Sequence, residues 1–301
     1  MKKILKQEDG AVIVLVVLLM TVFLGSLALV IDIGSIYLEK NRLQKMTDAA
    51  VLAGAQELPS NFDKARIAVA ETITLNGGEP SNFHVSTNEE NTVLEVTGFI
   101  TGKLYFAKLF GVNDPDISAT AKVTLHGLTS GKGAIPLGIS TSQNLAFGTH
   151  QVLKVSESAS GNFGAIALTG PGAKLFETDL TYGYGFELKV NDVLNTETGK
   201  MASPTVRAVQ HRVNKCPQAT YDHYAPDCAR LVLIPVIEPV EVRSNQIKQV
   251  KVVGFATFFL EGVSSTNEGA EVSGRFVQFT QEGGNSHVQP NYGTYGMKLS
   301  Q

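Results

Sequence analysis

The sequence predicts a membrane-anchored α+β protein with one N-terminal helix in the membrane. Three observations lead to this fold class. Residues 11–31 form 21 consecutive positions without a charge, the middle of the chain contains segments in which apolar and polar residues alternate, and the last half is a series of short β-rich runs separated by turn residues. We therefore expect a transmembrane helix, a mixed α/β region, and then a C-terminal all-β domain, either a sandwich or a barrel.

The uncharged run is long enough to cross a bilayer. At about 1.5 Å per residue it spans about 30 Å, which is one hydrocarbon core, whereas the apolar part of a secretory signal is shorter. Lys2, Lys3 and Lys6 precede the run. By the positive-inside rule we expect residues 1–9 in the cytoplasm, residues 10–31 in the cell membrane as a single pass, and the bulk of the chain on the extracytoplasmic side.

Two cleavage sites are alternatives to a retained anchor. Ala53, Gly54 and Ala55 have the small-residue form of a signal-peptidase site, but they lie more than 20 residues beyond the apolar run. Gly10 is placed as in a prepilin-type site, but Leu15 stands where such sites carry Glu. Both sites are therefore disfavoured, and we expect the anchor to be kept.

Asp32 is the first charge after the apolar run. An acid at this edge can reach headgroup water at small cost. A metal site that begins at Asp32 is disfavoured, because Gly34 and Ile36 occupy the positions where hydroxyl ligands would be needed.

The helix is expected to continue past the membrane with one apolar face. Its members recur at 3-4-3 spacing and are Leu43, Met46, Ala50 and Ala53. Pro59 should end the helix. Two interpretations remain: the face is core for the region that follows, which we favour, or it is a surface for a partner helix.

The opening stretch carries a family pattern. Gly10-Ala11 opens the span, and "ALVIDIGSIYLEKNRLQKMTDAAVLAGA" (28–55) places Asp-x-Gly, Tyr-Leu, Arg-Leu-Gln and Asp-Ala-Ala in a fixed order. This order, over about 45 residues, resembles the N-terminal segment of TadG-like proteins of the tight-adherence (Flp) pilus and secretion system. The resemblance implies a membrane-anchored, exported component linked to pilus assembly, and it implies no catalytic residues.

Residues 32–126 predict a helix extension and a pilin-like αββαβ region. "DKARIAVAETITLN" (63–76) reads as a helix, and two alternating segments after it read as a hairpin. "GKLYFAKLFG" (102–111) predicts a short amphipathic helix that places Tyr105, Phe106 and Phe110 in the core. A long helix laid on a small antiparallel sheet is also how pilins are built, which is an analogy of fold.

The C-terminal half is interpreted as a β-rich domain between two irregular segments. Residues 127–136 predict a linker, residues 137–286 the β-rich domain, and residues 287–301 a tail. At least seven runs read as strands, among them "TVRAVQHRV" (205–213), and no long helical period is recognised.

The densest cluster of reactive side chains surrounds the two cysteines, Cys216 and Cys228. In an exported protein they are predicted to form a disulfide. Two free thiols remain an alternative. A zinc site made of His211, Cys216, His223 and Cys228 is a further alternative, although the spacings match no usual zinc module.

Composition and motifs favour a non-catalytic protein of the cell envelope. The chain has 25 Lys+Arg against 28 Asp+Glu, with no basic block beyond its first six residues, so nucleic acid is not an expected partner. No catalytic motif and no cofactor site is recognised. The expected partners are the membrane and other pilus-assembly or envelope proteins, with a homo- or hetero-oligomer through the N-terminal helix. A surface adhesin or binding module, with strand tyrosines as contacts, and an exported hydrolase are alternatives.

Overall fold

The computed structural model describes residues 9–143, 145–156, 163–197, 201–243, 246–266 and 269–300. The lysines on which the orientation prediction rests lie outside these residues. The helices of the described part are α1 (Asp9–Ala55), α2 (Phe62–Leu75), α3 (Ala173–Tyr182) and α4 (Ala202–Lys215). Its strands are β1 (Phe83–Thr87), β2 (Val93–Thr101), β3 (Asp116–Leu128), β4 (Ser130–Gly131), β5 (Leu137–Ser140), β6 (His150–Ser156), β7 (Phe163–Ala167), β8 (Leu188–Lys189), β9 (Val193–Thr196), β10 (Leu231–Arg243), β11 (Gln246–Thr266), β12 (Gly269–Val277), β13 (Phe279–Thr280), β14 (Asn285–Ser286) and β15 (Thr294–Ser300).

A single continuous helix, α1, carries the chain out of the apolar segment and into the folded part. It is 47 residues long, which is about 70 Å at 1.5 Å per residue. Between Val12 and Ile31 it is exposed on all sides, and its second half buries one face from Leu43 onward. The long N-terminal apolar helix that the sequence predicts is therefore confirmed, and its second half belongs to the folded part of the chain.

Helix α2 packs on the end of α1. Asn61 caps it, because its side chain accepts a hydrogen bond from the backbone N–H of Lys64 at 2.9 Å. The two helices come close at Gly54, where an added Cβ would lie 2.6 Å from Val69 and 3.0 Å from the carbonyl oxygen of Ala65. A small residue at this position allows the close contact.

The first sheet lies against α1 and α2 and has the order β1-β2-β3-β15-β13, with β14 on β3. Strand β3 alternates between exposed and buried residues, and its buried positions face the helices (Ile117, Ala119, Ala121 and Val123). These side chains pack with Leu43, Met46 and Ala50 of α1. A long helix on an antiparallel sheet is therefore the architecture of this part.

The second sheet has the order β10-β5-β7-β9-β11-β12-β6. Because β10 also pairs with β11 along its whole length, strands β10, β5, β7, β9 and β11 form a closed ring of pairings. Phe258 and Phe276 lie in the core of this sheet with their ring centroids 4.9 Å apart. The C-terminal part is thus mostly β and partly closed.

Two helices in the C-terminal part correct the all-β prediction. Residues 205–213, interpreted as a strand, lie within α4, and α3 was not recognised. The buried positions of α4 include Thr205, Ala208 and Arg212, which recur at helical spacing. The segment holds several β-branched residues, whose local preference favours a strand, but tertiary packing selects the helix.

The predicted linker and tail are both part of the packed structure. Ala134, Ile135 and Pro136 are buried, and Ala134 bridges to Leu233 of β10. Strand β15, at the C-terminal end of the described chain, pairs antiparallel with β3 and parallel with β13. The predicted linker therefore packs on the second sheet, and the predicted tail contributes a strand to the first.

Candidate functional site

The first candidate feature is the exposed apolar part of α1. Within the described residues it is the one helix that is long and apolar enough to cross a membrane. Its polar side chains are satisfied inside the helix, since the hydroxyls of Thr21 and Ser26 donate to the carbonyl oxygens of Val17 and Val22 at 2.8 and 2.9 Å. Such a surface suits a bilayer, in which polar groups find no water. The exposed apolar part of α1 is therefore suited to anchor the chain in a membrane.

Asp32 occupies the exit of this segment and is only 5% exposed, although its neighbours on α1 are open to the surroundings. Its carboxylate accepts hydrogen bonds from three consecutive backbone N–H groups of the loop between β2 and β3. The oxygen–nitrogen distances are 2.7 Å to Tyr105, 3.1 and 3.2 Å to Phe106, and 2.7 Å to Ala107. Asp32 thus ties the loop to the helix and satisfies the free N–H groups at the start of a short 3-10 helix, Ala107–Phe110.

The loop between β2 and β3, residues 102–115, has further fixed points and is called the exit loop below. Asp114 accepts from the backbone N–H of Leu104 at 2.9 Å and pairs with Lys108 at 2.7 Å. The hydrogen bond from Lys108 and the one from Leu104 hold the pKa of Asp114 below its ordinary value. Glu39 of α1 accepts from the backbone N–H of Lys103 at 3.1 Å. The exit loop is therefore held on α1 at two heights.

The aromatic residues of the exit loop correct a sequence prediction. Tyr105, Phe106 and Phe110 were expected in the core, but they are 60%, 38% and 86% exposed. The predicted amphipathic helix is a single 3-10 turn that ends at Gly111, where φ is +79°. Local spacing could not reveal this, because the loop is shaped by a carboxylate that lies more than 70 residues away.

The apolar face predicted on the helix extension is used inside the chain. Leu43, Met46 and Ala50 are 2%, 8% and 0% exposed, and Ala53 is half-buried. Leu43, Met46 and Ala50 pack against α2 and the first sheet. These three side chains are therefore covered within the chain.

The cysteine cluster lies on the second sheet, far along the chain from Asp32. The sulfur atoms of Cys216 and Cys228 are joined at 2.11 Å, which leaves neither thiol as a metal ligand. In the part of the chain that the structure describes, no group of three or more His, Cys, Asp or Glu side chains could hold a metal ion. The histidines of the zinc alternative, His211 and His223, are therefore not gathered into a metal site with the two cysteines.

The tyrosines considered for a binding surface are mostly packed. Tyr182 is 71% exposed, whereas Tyr295 is 4% exposed. The guanidinium carbon of Arg275 lies over the Tyr221 ring, 4.2 Å from the ring centroid. The six candidates (Tyr182, Tyr184, Tyr221, Tyr224, Tyr292 and Tyr295) therefore include one strongly exposed ring.

Comparison with known proteins bears on the same segment that holds Asp32. Residues 10–57 match the family described as putative Flp pilus-assembly TadE/G-like. The N-terminal segment is TadE/G-like. No curated protein and no solved structure matches the chain. The TadE/G-like segment covers nearly all of α1 and the turn after it, and it links the chain to Flp pilus assembly.

The TadE/G-like segment contains Asp32 and the buried face of the helix extension, but not the exit loop that Asp32 binds. The sequence signal for the exit loop is its run of large apolar residues, "LYFAKLF" (104–110), bounded by glycines. The exposure of this run does not follow from its spacing, because Asp32 of α1 holds the loop from outside it.

Proposed function

We propose that this protein is a non-catalytic, membrane-anchored and exported component of a tight-adherence (Flp/Tad) pilus assembly or secretion apparatus. The observation that carries the proposal is the match of residues 10–57 to the TadE/G-like family, on a helix whose first half is exposed and apolar. The folded part would lie outside the cytoplasm and the N-terminus inside it. We further propose that contacts with other assembly proteins involve the lipid-embedded part of α1, because the face of its extension is already covered.

The disulfide supports export independently of the family match. Disulfides persist in oxidising compartments and are rare in the cytosol. The Cys216–Cys228 pair closes a loop of 12 residues on the second sheet. Its presence agrees with a folded part that is located on the extracytoplasmic side.

The side of the membrane can be tested through these two cysteines. Cells making the full chain are quenched with acid, and free thiols are labelled with a maleimide of large mass before and after reduction. We expect no mass shift before reduction and a shift of two labels after it. A variant with residues 2–31 deleted, which should stay in the cytosol, serves as the control and should label before reduction. Labelling of the full chain before reduction would contradict the proposed orientation.

The assembly role is tested by removing the chain from cells that make Flp pili. We expect these cells to lose or reduce their pili in electron micrographs, and the full chain supplied in trans to restore them. A chain whose residues 11–31 are replaced by an unrelated apolar helix separates simple anchoring from a specific contact in the membrane. Normal pili together with lost surface adhesion would overturn the assembly role and favour the adhesin alternative.

A further inference from the structure

The exit loop exposes an apolar patch. Its members are large side chains within eight residues, with exposures of 60%, 38%, 79%, 86% and 50% for Tyr105, Phe106, Leu109, Phe110 and Val112. Contiguous exposed apolar surface is uncommon on soluble proteins and marks a site of interaction. The folded state keeps this patch open by fixing the loop backbone instead of burying its side chains.

The position of the patch along α1 is set by hydrogen bonds. Asp32 binds the loop at residues 105–107, one residue beyond the last position of the uncharged run. Strand β3 then runs away from the apolar segment along α1. Lys40 donates to the carbonyl oxygen of Ser118, and Gln44, one turn further along the helix, donates to that of Thr120. The exit loop therefore lies at the end of the first sheet that is nearest the apolar segment of α1.

The apolar surface of α1 continues past Asp32 at the height of the loop. Ile33, Tyr37 and Leu38 are 61%, 66% and 69% exposed. The uncharged residues 11–31 account for about 30 Å of helix, which is one hydrocarbon core. Residues 32–38, and the exit loop beside them, then fall in the interfacial layer, where aromatic side chains are enriched in membrane proteins.

Asp32 fits this layer because hydrogen-bond donors surround its carboxylate. Three N–H groups converge on a carboxylate that is almost fully covered, and the same bonds satisfy backbone groups that would otherwise be exposed to a poorly hydrated layer. An acid can thus stand inside an apolar surface without a cationic partner. Asp32 is in this sense a positioning residue for the loop.

We propose that the exit loop is a second membrane contact, in which Tyr105, Leu109 and Phe110 insert among the phospholipids of the leaflet from which α1 emerges. The inference goes beyond the role in pilus assembly and requires only that α1 spans the bilayer. A helix and a loop held at one height would fix the tilt and rotation of the folded part on the membrane, which a helix alone does not.

Phospholipid is the occupant that the surroundings of the patch favour. The patch lies beside the exposed apolar surface of α1, because Asp32 holds its loop on that helix, and a spanning α1 would face acyl chains. Lys103 lies within the same loop, and a basic side chain beside an interfacial apolar surface suits the phosphates of lipid headgroups, whereas Lys108 is already paired with Asp114. A second copy of the chain is the competing occupant, which the test below distinguishes.

The test exploits the absence of tryptophan from this sequence. A Phe110→Trp chain carries a single indole in the patch. It is reconstituted at full length into phosphatidylethanolamine–phosphatidylglycerol vesicles, with and without lipids brominated near the headgroup end of their acyl chains. We expect blue-shifted emission that the brominated lipids quench strongly. Phe186→Trp is the matched control, because Phe186 is 70% exposed and follows the turn after α3, and its emission should be unshifted and unquenched.

The outcomes separate lipid from protein contact. Quenching no greater than in the Phe186→Trp chain, with emission typical of water, would overturn the proposal. Blue-shifted emission without quenching would also overturn it, since the patch would then be covered by protein. Asp32→Ala in the Phe110→Trp chain should weaken the quenching, while an intact disulfide and unchanged protease resistance show that the folded part persists. Asp32→Asn, which keeps one acceptor oxygen, should restore part of the quenching.

Discussion

At the scale of single residues, Asp32 forms hydrogen bonds that its neighbours in the sequence do not indicate. It binds backbone groups 73 to 75 residues further along the chain and so sets the position of a loop along α1. The sequence shows an acid at the edge of an apolar run, which is compatible with simple solvation. The hydrogen bonds show that the carboxylate has a structural partner instead of water.

Gly54 is a second residue whose identity is set by close packing. An added Cβ would lie 2.6 Å from Val69 and 2.8 Å from Leu94. We expect Gly54→Ala to lower the free energy of unfolding by about 1–3 kcal/mol, because the neighbours must move in a packed core. Chemical unfolding of the full chain in detergent, followed by circular dichroism, measures this.

The matched control for this substitution is Gly34→Ala on the same helix. Nothing lies within 4 Å of the Cβ that would be added there. Its stability should be unchanged or slightly raised, as alanine is the better helix former. Equal stabilities of the two variants would show that the contact between α1 and α2 is looser than the structure indicates.

At the scale of elements, α4 shows the limit of local pattern. Its valines and threonine favour a strand, yet it is a helix because its buried residues recur every three or four positions against α3 and the second sheet. Arg212 fixes the helix in place, donating to the carbonyl oxygens of Leu180 at 2.6 Å and Ala229 at 2.9 Å. Burial lowers the pKa of Arg212 to about 10, so it remains charged at neutral pH.

Arg212→Met should therefore weaken the attachment of α4. Two buried carbonyl oxygens would lose a charged donor, and we expect a loss of about 2–3 kcal/mol in the free energy of unfolding. Arg207→Met is the control on the same helix. Arg207 pairs with Glu177 at the surface, where ion pairs contribute little to stability. The melting temperature of the Arg207→Met chain should therefore hardly change. A larger effect at Arg207 would contradict this account of α4.

At the scale of the whole molecule, the two sheets depend on each other through the last strand. β15 pairs with β3 over six positions and with β13 over two, and Tyr295 lies in the core beneath α1. The hydroxyls of Thr257 and Thr294, 2.8 Å apart and buried, connect the second sheet to the same strand. The folded part is therefore assembled from both ends of the described chain.

Removal of residues 294–301 should expose β3 and open the first sheet. We expect limited proteolysis of the membrane-bound chain to cut within residues 83–128 much faster than in the full chain. Removal of residues 300–301 alone keeps the pairs of Tyr295 to Leu299 with β3 and should leave the rate unchanged. Equal rates in all three chains would show that β15 adds little to the sheet.

The features that could be predicted are those carried by local composition and period. The length of the apolar run gives the anchor, the alternation in β3 gives its buried face, and the ordered residues of 10–57 give the family segment. The exposed aromatic residues of the exit loop and the helix α4 could not be predicted in this way. In both, contacts from distant parts of the chain override the local preference.

By itself, the sequence therefore determined that this chain has a membrane helix, a mixed α/β part and a β-rich part. These follow from the length of the uncharged run and from the spacing of apolar residues along short segments. Only the tertiary structure decided that the N-terminal helix and the last described strand share one core, and that a loop of aromatic residues is held by Asp32 at the end of the apolar segment. The physical reason is that backbone hydrogen bonds and close packing join residues irrespective of their separation along the chain, and a local pattern does not record those partners.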